Sequence, residues 1–280
     1  MMDFTYYKPH ADVRQAVSSY YDVRIPAEVN DMMRAEIANI RIILSGSCEW
    51  ELGGERHRFT PGDAILCGPT SAASSIRFAQ GTHVFGMAVT PLGWARMFKV
   101  GADRMADRIV PLRTLVSPSA VPAFEAMLQA SDCDRIKAGD TFFSAMLGDT
   151  PSLPHAELDV IADWLADPEP NELSDLLAKT DLSHRQIDRL CRTYFGASPK
   201  RLHRKFRALH AANRLTWKDL TDWRDIARTS YYDQSHFIRE FKAFNGRTPS
   251  EFIQGMHILV RITLKERLQI AHESPFSLIG

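Results

Sequence analysis

Residues 173–253 read LSDLLAKTDLSHRQIDRLCRTYFGASPKRLHRKFRALHAANRLTWKDLTDWRDIARTSYYDQSHFIREFKAFNGRTPSEFI, and two segments of this stretch share one plan. The first is LSDLLAKTDLSHRQIDRLCRTYFGASP, from Leu173 to Pro199; the second is RDIARTSYYDQSHFIREFKAFNGRTP, from Arg224 to Pro249. Each has a short apolar-periodic helix, a tight turn, a polar cap, and a second helix bearing Arg and Phe. Each ends on Gly followed by Ser-Pro or Thr-Pro. An internal repeat of a helix–turn–helix, with basic residues on the second helix of each copy, is the sequence form of a two-headed DNA reader.

In head one, Leu173–Lys179 reads as the first helix and Thr180-Asp181-Leu182 as the turn. Ser183 caps the next helix by accepting from free backbone N–H groups. Ile187, Leu190, Cys191 and Tyr194 fall at i, i+3, i+4 and i+7 and are expected inside. Arg185, Asp188, Arg189 and Arg192 then lie on the outer side. The N-terminal part of a recognition helix meets base edges, which makes the first three the candidate readers. In head two, Asp222–Thr229 is the expected first helix, Tyr232 or Asp233 the cap, and Phe237, Phe241 and Phe244 the inner stripe. Gln234, Ser235, His236, Ile238, Arg239 and Lys242 remain for the DNA side. Gln can pair with adenine, Arg with guanine, and Ile can touch a thymine methyl.

Between the heads, Gly196 supplies a left-handed helix end, and Ser198-Pro199 starts PKRLHRKFRALHAANRLTW. At 1.5 Å per residue this helix spans roughly 28 Å. Two heads on one side of DNA must stand about 34 Å apart to read successive major grooves. Lys200, Arg201, Arg204, Lys205 and Arg207 are the helix's candidates for phosphate contact.

The formal net charge of zero conceals an asymmetry. Residues 171–267 carry 19 Lys and Arg against 11 Asp and Glu, whereas the rest of the chain carries 15 against 23. That points to a nucleic-acid-binding part joined to a part with another task. No apolar run reaches the roughly 18 residues of a membrane span, and the opening MMDFTYYKPHADVR has no basic region followed by an apolar core. Cys48, Cys67, Cys133 and Cys191 are scattered without CxxC spacing, which argues for free thiols in a cytoplasmic protein and against a zinc cluster.

The preceding half reads differently. Val13, Val17 and Tyr20-Tyr21 sit at helical spacing, which predicts a short helix leading into a strand. From Ala35 to Ala88 short alternating runs follow one another between Gly and Pro punctuation, and Gly53-Gly54 is a hairpin signal. A small β-barrel or sandwich is expected. Trp50, Phe59, Phe78 and Phe85 are the candidates for lining an effector pocket inside it, with core packing as their default role. His57 and His83 stand in no HxH or HxxE pattern, so no metal, and no cofactor, is expected. Helical spacing returns after Thr90, in Val121–Ala130 and in Arg135–Leu147. Residues 148–154, GDTPSLP, read as a linker, His155–Leu165 as a helix, and Asp167-Pro168-Glu169-Pro170 as its stop. Beyond Ile253, Ile258-Leu259, Ile262 and Leu268 suggest a further amphipathic helix that packs on head two or pairs with another chain.

From His155 to Ile253 the chain resembles the DNA-binding domain of the arabinose-regulator (AraC/XylS) family. The most specific match is DIARTSYYDQSHFIREFKAFNGRTPSEF, beside the family's IA…GF-x-DQSHFxRxFKxxxGxTPxxF. Three departures concern what is read rather than how it folds. Ser230-Tyr231 stands where the family has Gly-Phe, Cys191 where Phe is usual, and Asp188 where Gln is frequent. GMAVTPLGWARMFKVGADRMADRIVPL also resembles a sensor domain found ahead of this module.

The resemblance implies an α+β chain in three parts: residues 1–150 a cupin-like β-rich sensing or dimerisation domain with trailing helices, 155–255 the all-α reader, and 256–280 a helical tail. It implies a one-component transcriptional regulator rather than an enzyme. Its partners would be promoter DNA, a small-molecule effector, RNA polymerase and a second copy of the chain. Two other readings stand beside it: an architectural DNA-binding protein without ligand response, and a cupin-type enzyme fused to a DNA reader. The latter would need His and Glu ligands that the sequence does not show.

Overall fold

The computed structural model describes residues 2–148, 155–167, 172–218, 220, 222–230, 233–255 and 258–270. Most of the expected linker, the Pro168–Pro170 stop, and Tyr231 and Tyr232 lie outside the described residues.

Among the described residues, ten strands and eleven α-helices follow in order. The strands β1 (Asp3–Tyr7), β2 (Val17–Ile25), β3 (Val29–Met33), β4 (Asn39–Ser45), β5 (Cys48–Leu52), β6 (Glu55–Phe59), β7 (Ala64–Cys67), β8 (Ser74–Phe78) and β9 (Thr82–Val89) come first. Helix α1 (Pro91–Met97), strand β10 (Ile109–Pro111), α2 (Val121–Gln129) and α3 (Arg135–Leu147) complete the N-terminal half. The C-terminal half holds α4 (His155–Ala166), α5 (Leu173–Ala178), α6 (His184–Leu190), α7 (Pro199–Trp217), α8 (Arg224–Ser230), α9 (Gln234–Asn245), α10 (Pro249–Gln254) and α11 (Ile258–Arg267).

Two antiparallel sheets face each other, one ordered β1-β2-β9-β4-β7-β10 and the other β3-β8-β5-β6. Period-two alternation sorts the larger sheet's side chains onto its two faces. Tyr20, Ile40, Ile42, Phe85 and Met87 point to one side and pack on Phe124 of α2 and Phe142 and Phe143 of α3. Tyr21, Val23, Ile43, Ile65 and Val84 point to the other and meet Trp50, Ile76 and Phe78 of the smaller sheet. Because β9 is buried along its whole length, it reads as a continuous apolar run rather than an alternating one. Gly53 and Gly54, at φ 64° and 83°, make the β5–β6 turn, the left-handed pair that a two-residue hairpin requires.

The expected short helix leading into a strand is present, but the helix is shorter than the spacing of Val13, Val17 and Tyr20-Tyr21 suggested. Residues 11–13 form only a single 3₁₀ turn, and Val17–Ile25 is a strand paired between β1 and β9. Its β-branched and aromatic residues are buried on both faces, and that tertiary demand overrides a helical period carried by four residues.

Helix α7 is common to both heads. Its N-terminal half gives Leu202, Phe206 and Leu209 to a core with α4, α5 and α6. Its C-terminal half gives Ala211, Ala212 and Leu215 to a core with α8, α9 and α10. Each head also docks on the N-terminal half through the glycine that ends its second helix. Gly196 has φ 89°, and a Cβ there would lie 2.5 Å from Cγ of Pro69. Gly246 has φ 80°, and a Cβ there would lie 2.7 Å from Cβ of Met32. The tail helix α11 joins the two halves more directly. Leu259 belongs to the core between the sheets, while Val260 and Leu264 belong to the core of head two.

Candidate functional site

Two regions carry chemistry: the outer faces of α6 and α9, and a cavity between the sheets.

Helix α6 begins with a complete capping box. Ser183 Oγ accepts from the backbone N–H of Gln186 at 3.4 Å, and Gln186 Oε1 accepts from the backbone N–H of Ser183 at 2.9 Å. Ile187, Leu190 and Cys191 face inward. Phe195, not Tyr194, takes the next inner place, because residues 191–195 continue as a π-helical turn. Its i→i+5 bonds advance the register by one residue, so spacing counted at 3.6 per turn misplaces the stripe there. Arg185 and Arg189 are exposed. Asp188 is half-buried and accepts from Nε of Arg192 at 2.8 Å. Asp103, from the N-terminal half, borders the same shallow groove and, after Asp188, adds to the fields that hold the Arg192 guanidinium above its ordinary range.

Helix α9 is capped by Asp233, whose two carboxylate oxygens each accept at 3.1 Å, from the backbone N–H groups of Ser235 and His236. Gln234, Ser235, Arg239 and Lys242 are exposed, and His236 is half-exposed. Ile238 is partly withdrawn against the head-two core. Glu240, next to Arg239, points inward with a fully buried side chain. It holds Arg204 and Arg207 of α7 and His236 of its own helix; Arg207 Nη2 lies at 2.9 Å and His236 Nε2 at 3.0 Å. Burial would raise its carboxyl, but the hydrogen bonds from Arg207 and Arg204 outweigh this and hold it below the usual carboxylate range.

These contacts alter the expected phosphate-binding face of α7. Lys205 is buried and donates from Nζ to the carbonyls of Glu36, at 2.5 Å, and Thr70, at 2.9 Å. Burial lowers its ammonium to about 8. It is an interdomain strut rather than a surface cation. Arg204 and Arg207 are engaged with Glu240, and Arg201 leans toward the carbonyl of Ser71 at 3.5 Å. Lys200 and Arg201 are exposed.

The cavity between the sheets has about 810 Å³ of empty space including its open mouth, of which about 60 Å³ admits the centre of a water molecule. Of the four aromatic residues expected around it, Trp50 and Phe78 line it. Phe85 does not, because its neighbour Val84 holds the inward place on β9 and parity sends Phe85 to the helical side. Phe59 is buried between the sheets but away from the cavity wall, stacked on His57. His83 is paired with Asp22 at 2.6 Å. No group of three or more His, Cys, Asp or Glu placed to hold a metal occurs among the described residues.

The cavity also has a charged lining that the aromatic pattern did not indicate. Arg34, Glu36, Arg41 and Arg267 all border it. Glu36 Oε2 accepts from Nη2 of Arg41 at 2.5 Å. Burial disfavours the Arg41 cation, yet Glu36 holds it well above its ordinary value. Arg34 pairs with no carboxylate among the described residues and donates to Oδ1 of Asn213 on α7 at 3.1 Å. Burial, followed by the like charge of Arg267, lowers it to about 9. Arg267, at the end of α11, donates to the Tyr6 hydroxyl from Nε at 3.0 Å and Nη2 at 2.8 Å. Nη1 of Arg41 and Nη1 of Arg267 are buried with no hydrogen-bond partner among the described residues, and each such donor costs about 1–3 kcal/mol when left unmet. One sequence signal for this lining was available: Arg41 interrupts the apolar run NIRIIL of β4. Arg267 gave none, since only the fold brings α11 to the sheets.

The reading heads find a match in sequence. Residues 176–255 fit the profile of a family described as a helix-turn-helix domain. This stretch is an AraC-type helix-turn-helix domain. No curated protein matches the chain. Among solved structures, ToxT from Vibrio cholerae is similar in shape at 10% identity, over 90% of this chain and 97% of ToxT, with a TM-score of 0.49. ToxT bound to (E)-4-(8-methylnaphthalen-1-yl)but-3-enoic acid aligns at 11% identity, over 90% and 98% of the two chains, with a TM-score of 0.49. KdgF from a Halomonas species aligns at 16% identity, over 31% of this chain and 76% of its own, with a TM-score of 0.25. Within the helix-turn-helix domain lie α6, α7, α8, α9 and α10, whereas α11 lies beyond the matched residues.

Proposed function

We propose that this protein is a sequence-specific transcriptional regulator that reads two successive major grooves with α6 and α9 and responds to a small molecule held between its sheets. The observation that carries the reading is the repeated pair of capped helices, each with an inner apolar stripe and exposed polar and basic residues at its N-terminal end, joined by the 19-residue α7. Arg185 and Arg189 of head one and Gln234, Ser235 and Arg239 of head two are the proposed base readers. Arg192 and Lys242 flank them, and Lys200 and Arg201 are the proposed phosphate contacts of α7. Residues 1–150 are the proposed sensing unit and 155–255 the reader.

Genome-wide footprinting with the full chain tests this reading. It is expected to recover sites with two recognised segments about one helical turn, roughly 34 Å, apart. Affinity for a recovered site, followed by fluorescence anisotropy, is expected to fall steeply between low and moderate salt as phosphates shed counterions. A flat salt response would remove the DNA-binding claim. Footprints with a single recognised segment would remove the two-groove claim.

A further inference from the structure

We propose that the cavity binds a compact apolar monocarboxylate, and that the tail helix α11 completes this site by supplying Arg267 as one of its two carboxylate-binding groups. The inference rests on the small-molecule response proposed above and names its ligand.

Charge balance carries the argument. Three guanidinium groups and one carboxylate border an otherwise apolar cavity, and the one carboxylate, Glu36, is already committed to Arg41. The lining therefore holds excess positive charge away from water, an arrangement that protein interiors avoid unless a counter-charge arrives. Among the guanidinium nitrogens of the cavity lining, one on Arg41 and one on Arg267 are buried with no partner among the described residues, each in a residue less than a tenth exposed. Two donors of this kind, one from the sheet and one from α11, suit the two oxygens of a carboxylate.

Apolar walls and size set the rest of the ligand. Phe4, Tyr21, Trp50, Ile76 and Phe78 surround the space, and Leu259 and Val260 of α11 close it. The space open to the centre of a water molecule is about 60 Å³, more than a single water needs. That suits a single ring or a short chain rather than a long acyl tail. Occupancy would be felt at head two, because Leu259 lies at the cavity while Val260 and Leu264 lie in the head-two core. A second connection runs from Arg34 to Asn213 of α7.

Isothermal titration of the full chain with benzoate, hexanoate, benzamide and inorganic phosphate provides the test. Benzoate and hexanoate are expected to bind saturably, benzamide at least tenfold more weakly, and phosphate not to displace benzoate. Arg267→Met is expected to weaken benzoate at least tenfold, with circular dichroism confirming that the variant is folded. Should that variant not fold, hydrogen exchange on the wild-type chain supplies the second readout: benzoate is expected to slow exchange across residues 259–267. Equal binding of benzoate and benzamide, displacement by phosphate, or unchanged exchange in α11 would each overturn the proposal. DNA affinity measured in parallel without ligand separates the two readings. Salt-dependent DNA binding with no carboxylate binding sinks this inference alone, whereas loss of DNA binding sinks the regulator.

Discussion

The two heads share a plan and differ in how they are held. Head one closes its second helix with a π-helical turn and sets Gly196 against Pro69. Its reading face carries a surface ion pair, Asp188–Arg192, with Asp103 nearby. Head two keeps a regular 12-residue helix and buries Glu240 among Arg204, Arg207 and His236. It is tied to the cavity side of the sheets. Asp31 of β3 accepts from Nη2 of Arg247 at 2.6 Å and from the backbone N–H of Leu259 at 3.1 Å, and Trp217 Nε1 donates to the carbonyl of Leu264 at 2.7 Å. The repeat therefore separates two jobs. Head one is braced by Pro69, in a loop bonded to Glu36 through Thr70, and head two is built into the cavity's closing wall.

The strongest way to break this contrast is Glu240→Gln. It removes the negative charge that joins α9 to α7 through Arg204 and Arg207. The expected cost is about 2–3 kcal/mol, discounted because Arg204 is half-exposed, read as a lower urea midpoint with the change confined to head two by limited proteolysis. The pH dependence has the same origin. Glu240 has a folded-state pKa below the usual carboxylate range, so the unfolded chain takes up the proton first. Its contribution is complete above the ordinary carboxylate range and is lost as pH falls below that range through the lower folded value. In the Gln variant this part of the acid sensitivity should vanish.

Arg189→Ala and Arg239→Ala come next, each expected to cost about 1–3 kcal/mol on the cognate site and far less on random DNA. Equal losses on both substrates would mean that these residues touch only phosphate.

Gly196→Ala probes how head one is braced. A left-handed φ costs an L-residue about 1–2 kcal/mol, and the added Cβ meets a rigid proline ring, so the variant should unfold at a lower temperature. Gly246→Ala also forces a left-handed L-residue and sets its Cβ 2.7 Å from Cβ of Met32, an atom fixed to β3, so a comparable loss is expected there. The smallest effect belongs to Asp188→Asn. Its exposed i,i+4 pair contributes about 0.3–0.5 kcal/mol, so stability should barely move, while affinity for random DNA should rise.

The reader was legible in the sequence because its signals are local. Ser183 and Asp233 cap the helices they were expected to cap, and Phe237, Phe241 and Phe244 lie inside. From β4 to β9 the strands were legible for the same reason: alternation and Gly53-Gly54 act within a few residues. What was missed depends on distant partners. The helical spacing stops at Val13, and Val17 and Tyr20-Tyr21 already belong to the strand, because β1 and β9 flank them. Lys205 looked like a surface cation on a basic helix until the carbonyls of Glu36 and Thr70 were placed over it. The aromatic residues of the strands suggested a pocket, but its charged groups come from Arg34, Glu36, Arg41 and Arg267, which are spread over more than 230 positions of the chain.

The dual membership of α11 has a consequence for how the molecule comes apart. A helix with Leu259 in one core and Leu264 in another cannot leave either alone, so local opening of head two must expose the space between the sheets at the same moment. Native-state hydrogen exchange should then show β3, α9 and α11 opening as one cooperative unit. Helices α5 and α6 of head one share no core with that tail and should open by themselves at a lower free energy. On the proposed function, head one is then the half that opens to search DNA and head two the half that reports whether the cavity is filled.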